Sequence, residues 1–302
     1  VIVLLATRNG ERWLDAQLDS ILAQTSVEVR IIARDDMSTD RTRAILDARA
    51  ASDQRLAVLP SSESSGSAAA NFLRLLVETD FTDANYVAFA DQDDVWRTGK
   101  LERHVALMEA SRLDGVSSDV IAFDERGRRH LIKKSYPQRA FDFLLESPGP
   151  GSTFLISPRL ASTVAELVRS DTAGAAGVAF HDVFVYATCR AKAWPWLIDD
   201  FPSVDYRQHN ENVMGANVGP RGAAARLATI RSREHRRQSS RLADIAAHIS
   251  APQLRLQLES IAADMRNRSL PARLRLARRA PQLRRRARDR AIIGTLIALG
   301  IW

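Results

Sequence analysis

The stretch Tyr86–Ala90 carries no charged or amide side chain and runs straight into three carboxylates, Asp91, Asp93 and Asp94. An apolar run of this length suits a strand in the middle of a sheet covered on both faces. Carboxylates at its carboxyl end then lie where open α/β sheets bind ligands. Acidic groups this crowded repel one another unless a cation shares the site. A divalent metal holding a phosphate-bearing substrate is the economical expectation.

The rest of the first half supports such a sheet. Val1–Ala6, Val27–Arg34 and Leu56–Leu59 read as further strands. Arg12–Ala23, Thr39–Ala51, Asn71–Val77 and Thr98–Leu113 read as helices, with Ser38 or Thr39 available to cap the second. Strands alternating with helices predict βαβ units and a mainly parallel sheet. Further on, Val116–Phe123 reads as a strand and Phe141–Leu145 as a short helix or strand. Pro148–Gly151 reads as a tight turn before Ser152 and Thr153, and Val178–Arg190 as a helix. Pro195 and Pro202 bracket an apolar run, Trp196–Ile198. The Gly-rich segment Gly215–Gly222 marks a domain boundary, beyond which helical Ala- and Arg-rich segments are broken by Pro252, Pro271 and Pro281.

Charge divides at the same place. Arg221–Trp302 holds 19 Arg, no Lys and 5 acidic residues, a balance of +14; the whole chain is +7, so residues 1–220 carry −7. A basic extension on an acidic body suggests attraction to anionic lipid or nucleic acid, apart from the main site. Residues 273–290 set arginines around Leu274, Leu276 and Leu283, and Ala291–Trp302 follows as an apolar stub ending in Trp. That pattern resembles an interfacial anchor on anionic lipid; the alternative is an amphipathic helix packed on the body. Sparse aromatic interleaving argues against nucleic acid. The stub is too short to span a bilayer, and the strand-like opening Val1–Ala6 has no secretory pattern. The single Cys189 excludes an internal disulfide and reads as a small buried apolar residue.

Three polar strand ends carry the chemistry. Ala6-Thr-Arg-Asn-Gly10 is a polar turn into a helix, where backbone N–H groups meet a nucleotide or simply turn the chain. In Arg34-Asp-Asp-Met-Ser-Thr-Asp40, capping does not explain both Asp35 and Asp36, which leaves one to accept hydrogen bonds from a base or ribose. In the third, Asp91 would face ribose or a metal-bound water, and Asp93 the metal and diphosphate. Asp94 would be structural, and Trp96 either closes the pocket or packs.

Thr7 and Asn9, then Asp35-Asp36-x-Ser38-Thr39-Asp40, then Asp91-Gln92-Asp93-Asp94-Val95-Trp96, together resemble the family 2 glycosyltransferases. The DQDDVW form is similar to the rhamnosyltransferase-like branch that builds bacterial surface polysaccharides. The resemblance continues at His181-Asp182 and at Tyr206–Val213 and covers residues 1–218. It leaves 219–302 as a helical, Arg-rich extension and a membrane-surface anchor. It implies a GT-A fold, an α/β architecture with a Rossmann-like, mixed and mainly parallel sheet flanked by helices.

The same resemblance implies roles. Asp36 contacts a uracil- or thymine-type base, and Thr7 and Asn9 line the nucleotide pocket. Asp91 and Asp93 form the DxD pair, with Asp93 holding Mg²⁺ or Mn²⁺ and His209 beside the metal and diphosphate. Asp182 is the catalytic base. Arg207 neutralises diphosphate or pairs with carboxylates of the body, and Gly151-Ser152-Thr153 is an acceptor floor or a plain turn. The implied reaction is an inverting transfer from a dTDP- or UDP-sugar, dTDP-rhamnose among them, to a hydroxyl of a glycan or lipid-linked acceptor. Its implied place is the inner face of the bacterial cytoplasmic membrane, with no nucleic-acid partner.

Physical chemistry fits these roles. A departing diphosphate gathers negative charge that a metal neutralises, and the acceptor hydroxyl needs a base on the opposite face. A nucleotidyltransferase would need a phosphate loop that Ala6–Gly10 supplies poorly. A basic membrane- or RNA-binding protein would leave the acidic strand ends unused. His181 and Asp182 also read as an ion pair at a helix N-terminus. Two departures from the family pattern stand out: Met37 where Gly is usual, and Ser64-Ser-Gly-Ser67 in place of an Asn-x-Gly turn.

Overall fold

A computed structural model describes residues 1–209 and 234–302. β1 (Ile2–Thr7) is buried along its whole length and lies parallel between β2 (Arg30–Asp35) and β4 (Val87–Asp91), with β3 (Leu56–Val58) outside β2. Helices α1 (Leu14–Leu22), α2 (Thr42–Ser52) and α3 (Ala68–Glu78) make the connections. Alternate residues of one strand serve different cores, as the two-residue period requires. Ile2, Leu4, Val87 and Phe89 face one cluster, and Val3, Leu5, Ala88 and Ala90 the other. This is why the strand before the carboxylates contains no polar residue.

The second half turns the sheet mixed. β5 (Val95–Trp96), β6 (Gly115–Asp124), β7 (Arg129–Ile132), β8 (Leu155–Ile156) and β9 (Trp196–Gln208) complete the order β3-β2-β1-β4-β8-β6-β9-β5, with β7 on β6. β8 runs antiparallel to both β4 and β6, and β6 and β9 run parallel. The helices here are α4 (Lys100–Ser111), α5 (Pro158–Arg169) and α6 (His181–Ala191). Strand order reverses direction between β1 and β4, the topological switch point at which such sheets bind ligands.

Several boundaries differ from the sequence reading. α2 begins at Thr42 rather than Thr39, and neither Ser38 nor Thr39 caps it; the Asp40 carboxylate accepts Thr42 N at 2.9 Å and Thr42 Oγ1 at 2.6 Å instead. Ser38 is drawn to Asp35, whose Oδ2 accepts its amide at 3.0 Å. The run read as Trp196–Ile198 continues through Pro202 to Gln208, because Pro202 falls in a register shift opposite Ser118–Val120, where no ladder N–H is needed. Phe141–Leu145 contains a single 3₁₀ turn, Asp142–Leu144.

The C-terminal region folds against the body. It comprises α7 (Glu234–Ile249), α8 (Pro252–Arg266), α9 (Leu270–Arg278), α10 (Ala280–Leu283) and α11 (Ala287–Ala298). Leu258, Ile261, Met265, Leu276, Leu283, Ile293, Ile297 and Trp302 belong to the same apolar cluster as Phe72, Phe89 and Phe184 of the body. The stub Ala291–Trp302 is therefore not a free anchor. Trp302 is 4% exposed and donates Nε1–H to His235 Nδ1 at 3.2 Å, since an indole ring finds more apolar contact in the bundle than in water. The expected boundary at 218/219, and Asn210–Val213 of the Tyr206 motif, lie outside the described residues.

Candidate active site

The carboxyl ends of β1, β2 and β4 are knitted together by short polar contacts. The Thr7 hydroxyl donates to Asp35 Oδ1 at 3.1 Å. The Asn9 amide donates to Ser38 Oγ at 2.8 Å, and Asn9 Oδ1 accepts Thr39 N at 2.8 Å. Asn9 has φ 51°, a left-handed conformation that Asn tolerates better than most residues. Gln92 pins this turn to the acidic loop: its Oε1 accepts Arg8 N at 2.7 Å and its Nε2 donates to Arg8 O at 2.8 Å. A Cβ at Gly10 would collide with the Gln92 side chain, so glycine is needed for the close approach.

Asp36 does not stand open to a ligand in this conformation. It is buried and accepts Ser65 Oγ at 2.7 Å, Ser64 Oγ at 3.1 Å and the Ser65 amide, with Arg8 at 3.4 Å and Arg34 at 3.5 Å. Burial works against its charge, yet these hydrogen bonds and Arg34 hold its carboxyl below the usual range. The Ser64–Ser67 loop thus contacts Asp36 directly, and Ser67 caps α3 by accepting Ala70 N at 3.1 Å. Met37 adopts φ 58°, the left-handed geometry that glycine takes freely, so the turn keeps its shape despite the substitution.

The three carboxylates of the acidic loop part company. Asp94 is fully buried and structural: it accepts Ser152 Oγ at 2.6 Å and Arg207 N at 3.1 Å, tying β9 and the Gly151–Thr153 turn to the loop. Asp93 faces β9, where its Oδ2 lies 2.6 Å from His209 Nε2. Arg207 Nε donates to Asp93 O at 2.7 Å, and its guanidinium lies over Phe123. Burial, then the charges of Asp93 and Asp182, push Asp91 up to about 8. Asp182, whose charge contributes to that rise, lies in the first turn of α6.

On the Asp182 side, His181 is held neutral. Burial lowers it to about 4 against the pull of Asp182, and its ring stacks on Phe72 at 4.0 Å. The ion pair read from the sequence is thereby replaced by an apolar contact. A Cβ at Gly151 would lie 2.5 Å from His181 Nε2, so the Gly151 turn carries α6 at close range. Ser152 and Thr153 are buried, Ser152 bonded to Asp94 and Thr153 donating to Pro150 O at 2.7 Å. Their side chains brace the loop rather than floor a cleft. Trp96 is likewise part of the core, with Lys100 Nζ 3.7 Å from its ring centroid, and does not close a pocket.

Three residues were missed in the sequence. Trp13, at the start of α1, stacks on His209 at 4.2 Å. Both line a cavity of about 330 Å³ with Asn9, Glu11, Arg12, Asp40 and Glu125. Gln92 sat unremarked inside the acidic motif, although a neutral amide between carboxylates was itself a signal. Lys134 carries no local signal that sets it apart. Its amide donates to Asp119 Oδ1 at 2.5 Å, and burial with Arg285 lowers its ammonium, while Asp182 favours the charge.

The donor chemistry suits a divalent cation bound with a phosphate-bearing ligand. Asp93 and His209 present oxygen and imidazole nitrogen 2.6 Å apart at one point, where both could turn to a cation. It would also relieve the repulsion that raises Asp91. Among the described residues no three such side chains form a ready cage, as expected where phosphate oxygens and water supply the other ligands.

Comparison with known proteins places this geometry. The family model described as glycosyl transferase family 2 matches residues 2–162. The chain belongs to that family. It is 33% identical over 244 residues to the dTDP-rhamnosyl transferase RfbG of Shigella flexneri, spanning 80% of this chain and 84% of that one. This family member therefore falls, as its DQDDVW motif suggested, with the rhamnosyltransferase-like branch. A shorter match, 30% over 109 residues, joins it to WfgD of Escherichia coli, named a UDP-Glc:alpha-D-GlcNAc-diphosphoundecaprenol beta-1,3-glucosyltransferase, over 36% of this chain and 41% of that one. S. aureus TarS 1–349 in complex with UDP-GlcNAc shares the fold at TM-score 0.57 and 14% identity, over 99% of this chain and 90% of that one. The mannosyltransferase PcManGT of Pyrobaculum calidifontis, in complex with GDP-Man and Mn2+, does so at TM-score 0.51 and 19% identity, over 99% and 85%. The fold is GT-A, and the family 2 chain is a glycosyltransferase.

Proposed function

We propose that this glycosyltransferase moves a sugar, with inversion, from a dTDP- or UDP-linked donor to a hydroxyl of a lipid-linked or glycan acceptor in bacterial surface-polysaccharide synthesis. The observation that carries the reading is the meeting of β1 and β4 carboxyl ends, bearing Asn9, Asp91 and Asp93, with Asp93 Oδ2 lying 2.6 Å from His209 Nε2. The name of the RfbG relative supports rhamnose among the donor sugars, and that of WfgD supports a diphosphate-linked acceptor. An acceptor of that kind sets the enzyme at the inner face of the membrane.

In this reading Thr7 and Asn9 border the nucleotide, and Asp36 receives the base once the Ser64–Ser65 loop gives up one of its hydrogen bonds. Asp93 and His209 hold a divalent metal, whose chemistry is neutralisation of charge on the leaving diphosphate. Arg207, anchored on Asp93 O, adds a fixed positive charge on the same side. Asp91 faces the ribose. Asp182 takes the proton from the acceptor hydroxyl as it attacks the anomeric carbon from the face opposite the diphosphate. Its backbone is steadied by the neutral His181 wedged on Phe72 and Gly151.

The test is thermal unfolding with dTDP, UDP and GDP, each with and without Mn²⁺. Stabilisation by dTDP or UDP that requires metal and is lost in Asp93→Ala is expected. A folded protein that responds to none of these nucleotides overturns the proposal. For the chemistry, Asp182→Asn is expected to bind donor normally yet transfer sugar at least about 100-fold more slowly.

A further inference from the structure

We propose that the outward faces of α9 and α11 form a docking surface for an anionic lipid bilayer. This deepens the membrane placement above and rests on it for its setting. α9 buries Ala272 and Leu276 while Leu270 and Leu274 stand 55% and 40% exposed. α11 buries Ile293 and Ile297 while Ile292 and Leu299 are 46% and 63% exposed, with Ile301 just beyond its end. The spacings i,i+4 and i,i+7 put each exposed pair on a single helical face. The two helices lie side by side: a Cβ at Gly294 would lie 3.7 Å from Ala277 O of α9, and Gly300, just past α11, sits against Arg273 of α9. Each helix thus packs on the other while exposing aliphatic side chains of its own.

The arginines of this region divide into two sets. Arg275 lies 2.6 Å from Asp264, and Arg284 and Arg285 reach Glu146 at 3.2 and 2.9 Å. All three are paired with carboxylates, Arg285 in the interior and Arg275 at the surface. Arg268, Arg273, Arg278 and Arg288, on or beside the outward faces, have no carboxylate within ion-pair distance among the described residues. Unpaired arginines alone would suit any polyanion. What selects a bilayer is the aliphatic side chains between them. Such chains sink into the acyl boundary while guanidinium groups meet headgroup phosphates, whereas single-stranded nucleic acid rewards aromatic stacking, and these faces expose no aromatic ring. Among the described residues no helix is long and apolar enough to cross a membrane, so the surface lies on the bilayer rather than through it.

Of the residues the sequence suggested, Leu276, Leu283 and Trp302 turn inward while Leu274 and part of the stub stay exposed. Trp302, the obvious candidate for insertion, is spent on the internal contact with His235. Leu270, Leu274 and Leu299 take its place at the surface.

The experiment is co-sedimentation of the full chain with large unilamellar vesicles of phosphatidylcholine, alone or with phosphatidylglycerol. Binding to the mixed vesicles in low salt is expected, with weak binding to neutral ones. Leu270→Ser/Leu274→Ser/Leu299→Ser and Arg268→Gln/Arg278→Gln/Arg288→Gln are each expected to weaken it by about tenfold. Metal-dependent nucleotide binding is measured on the same samples and should not change, which separates failure here from failure of the donor-site reading. The inference is overturned if the wild type does not bind mixed vesicles, if it binds neutral ones equally, if both variants bind as the wild type does, or if it prefers single-stranded RNA to vesicles.

Discussion

Arg285 offers the sharpest test of the claim that the C-terminal helices are part of the body. Its side chain is 3% exposed, with Nε 2.9 Å from Glu146 Oε2 and Nη1 3.6 Å from Asp142 Oδ2, and Nη2 donates to Ser147 O. Removing one partner of a buried ion pair costs about 3–5 kcal/mol, because the carboxylates left behind remain desolvated. Here Arg284 still reaches Glu146 at 3.2 Å and Arg190 still reaches Asp142 at 3.2 Å, which blunts the loss. Arg285→Met is therefore expected at the lower end, about 3 kcal/mol. Urea unfolding followed by circular dichroism and by tryptophan fluorescence measures it. Adding Glu146→Gln removes one stranded carboxylate, so the double variant should be more stable than the sum of the two single losses by about 1 kcal/mol or more. A loss below about 1 kcal/mol for Arg285→Met, or strict additivity, would refute the reasoning. The extension would then be held by apolar contact alone.

Burial lowers Lys100 from 10.5 to about 7. Below about 7 both folded and unfolded states hold the proton and the native state bears the full burial penalty; between about 7 and 10.5 only the unfolded state holds it, so stability rises with pH across that window. Lys100→Met should flatten this slope and gain about 2 kcal/mol at pH 6, the contact with Trp96 offsetting part of the larger electrostatic saving. Parallel pH–stability curves for the two proteins would count against it. Gly151→Ala should lose about 1–3 kcal/mol through its collision with His181, and should slow sugar transfer more than it weakens donor binding; kinetics and thermal unfolding together read this out. Met37→Gly should raise the urea midpoint slightly, a gain of about 0.5 kcal/mol, because relief of the left-handed strain exceeds the extra chain entropy.

The meeting of the three polar strand ends was legible because it follows from local pattern. Once Val1–Ala6, Val27–Arg34 and Tyr86–Ala90 are strands of one parallel sheet, their polar carboxyl ends must meet along one edge. The second half of the sheet was less legible. Phe141–Leu145 and Trp196–Gln208 are irregular, one a 3₁₀ turn and the other a strand that passes through Pro202, so periodicity gave little to follow.

The sequence by itself determined the strand–helix alternation, the clustering of carboxylates and the order of motifs that marks the family. These are properties of neighbouring residues and survive without knowledge of what packs on what. Only the tertiary structure decided that Asp94 braces Ser152 while Asp93 faces His209, although one peptide bond separates them. It also decided that Asp36 is filled by Ser64 and Ser65, that Trp96 and Trp302 are core residues, and that leucines of α9 and α11 face outward instead. Each of these depends on partners tens to hundreds of residues away. Burial and electrostatic environment are set by the whole packing arrangement, and the local chain does not carry them.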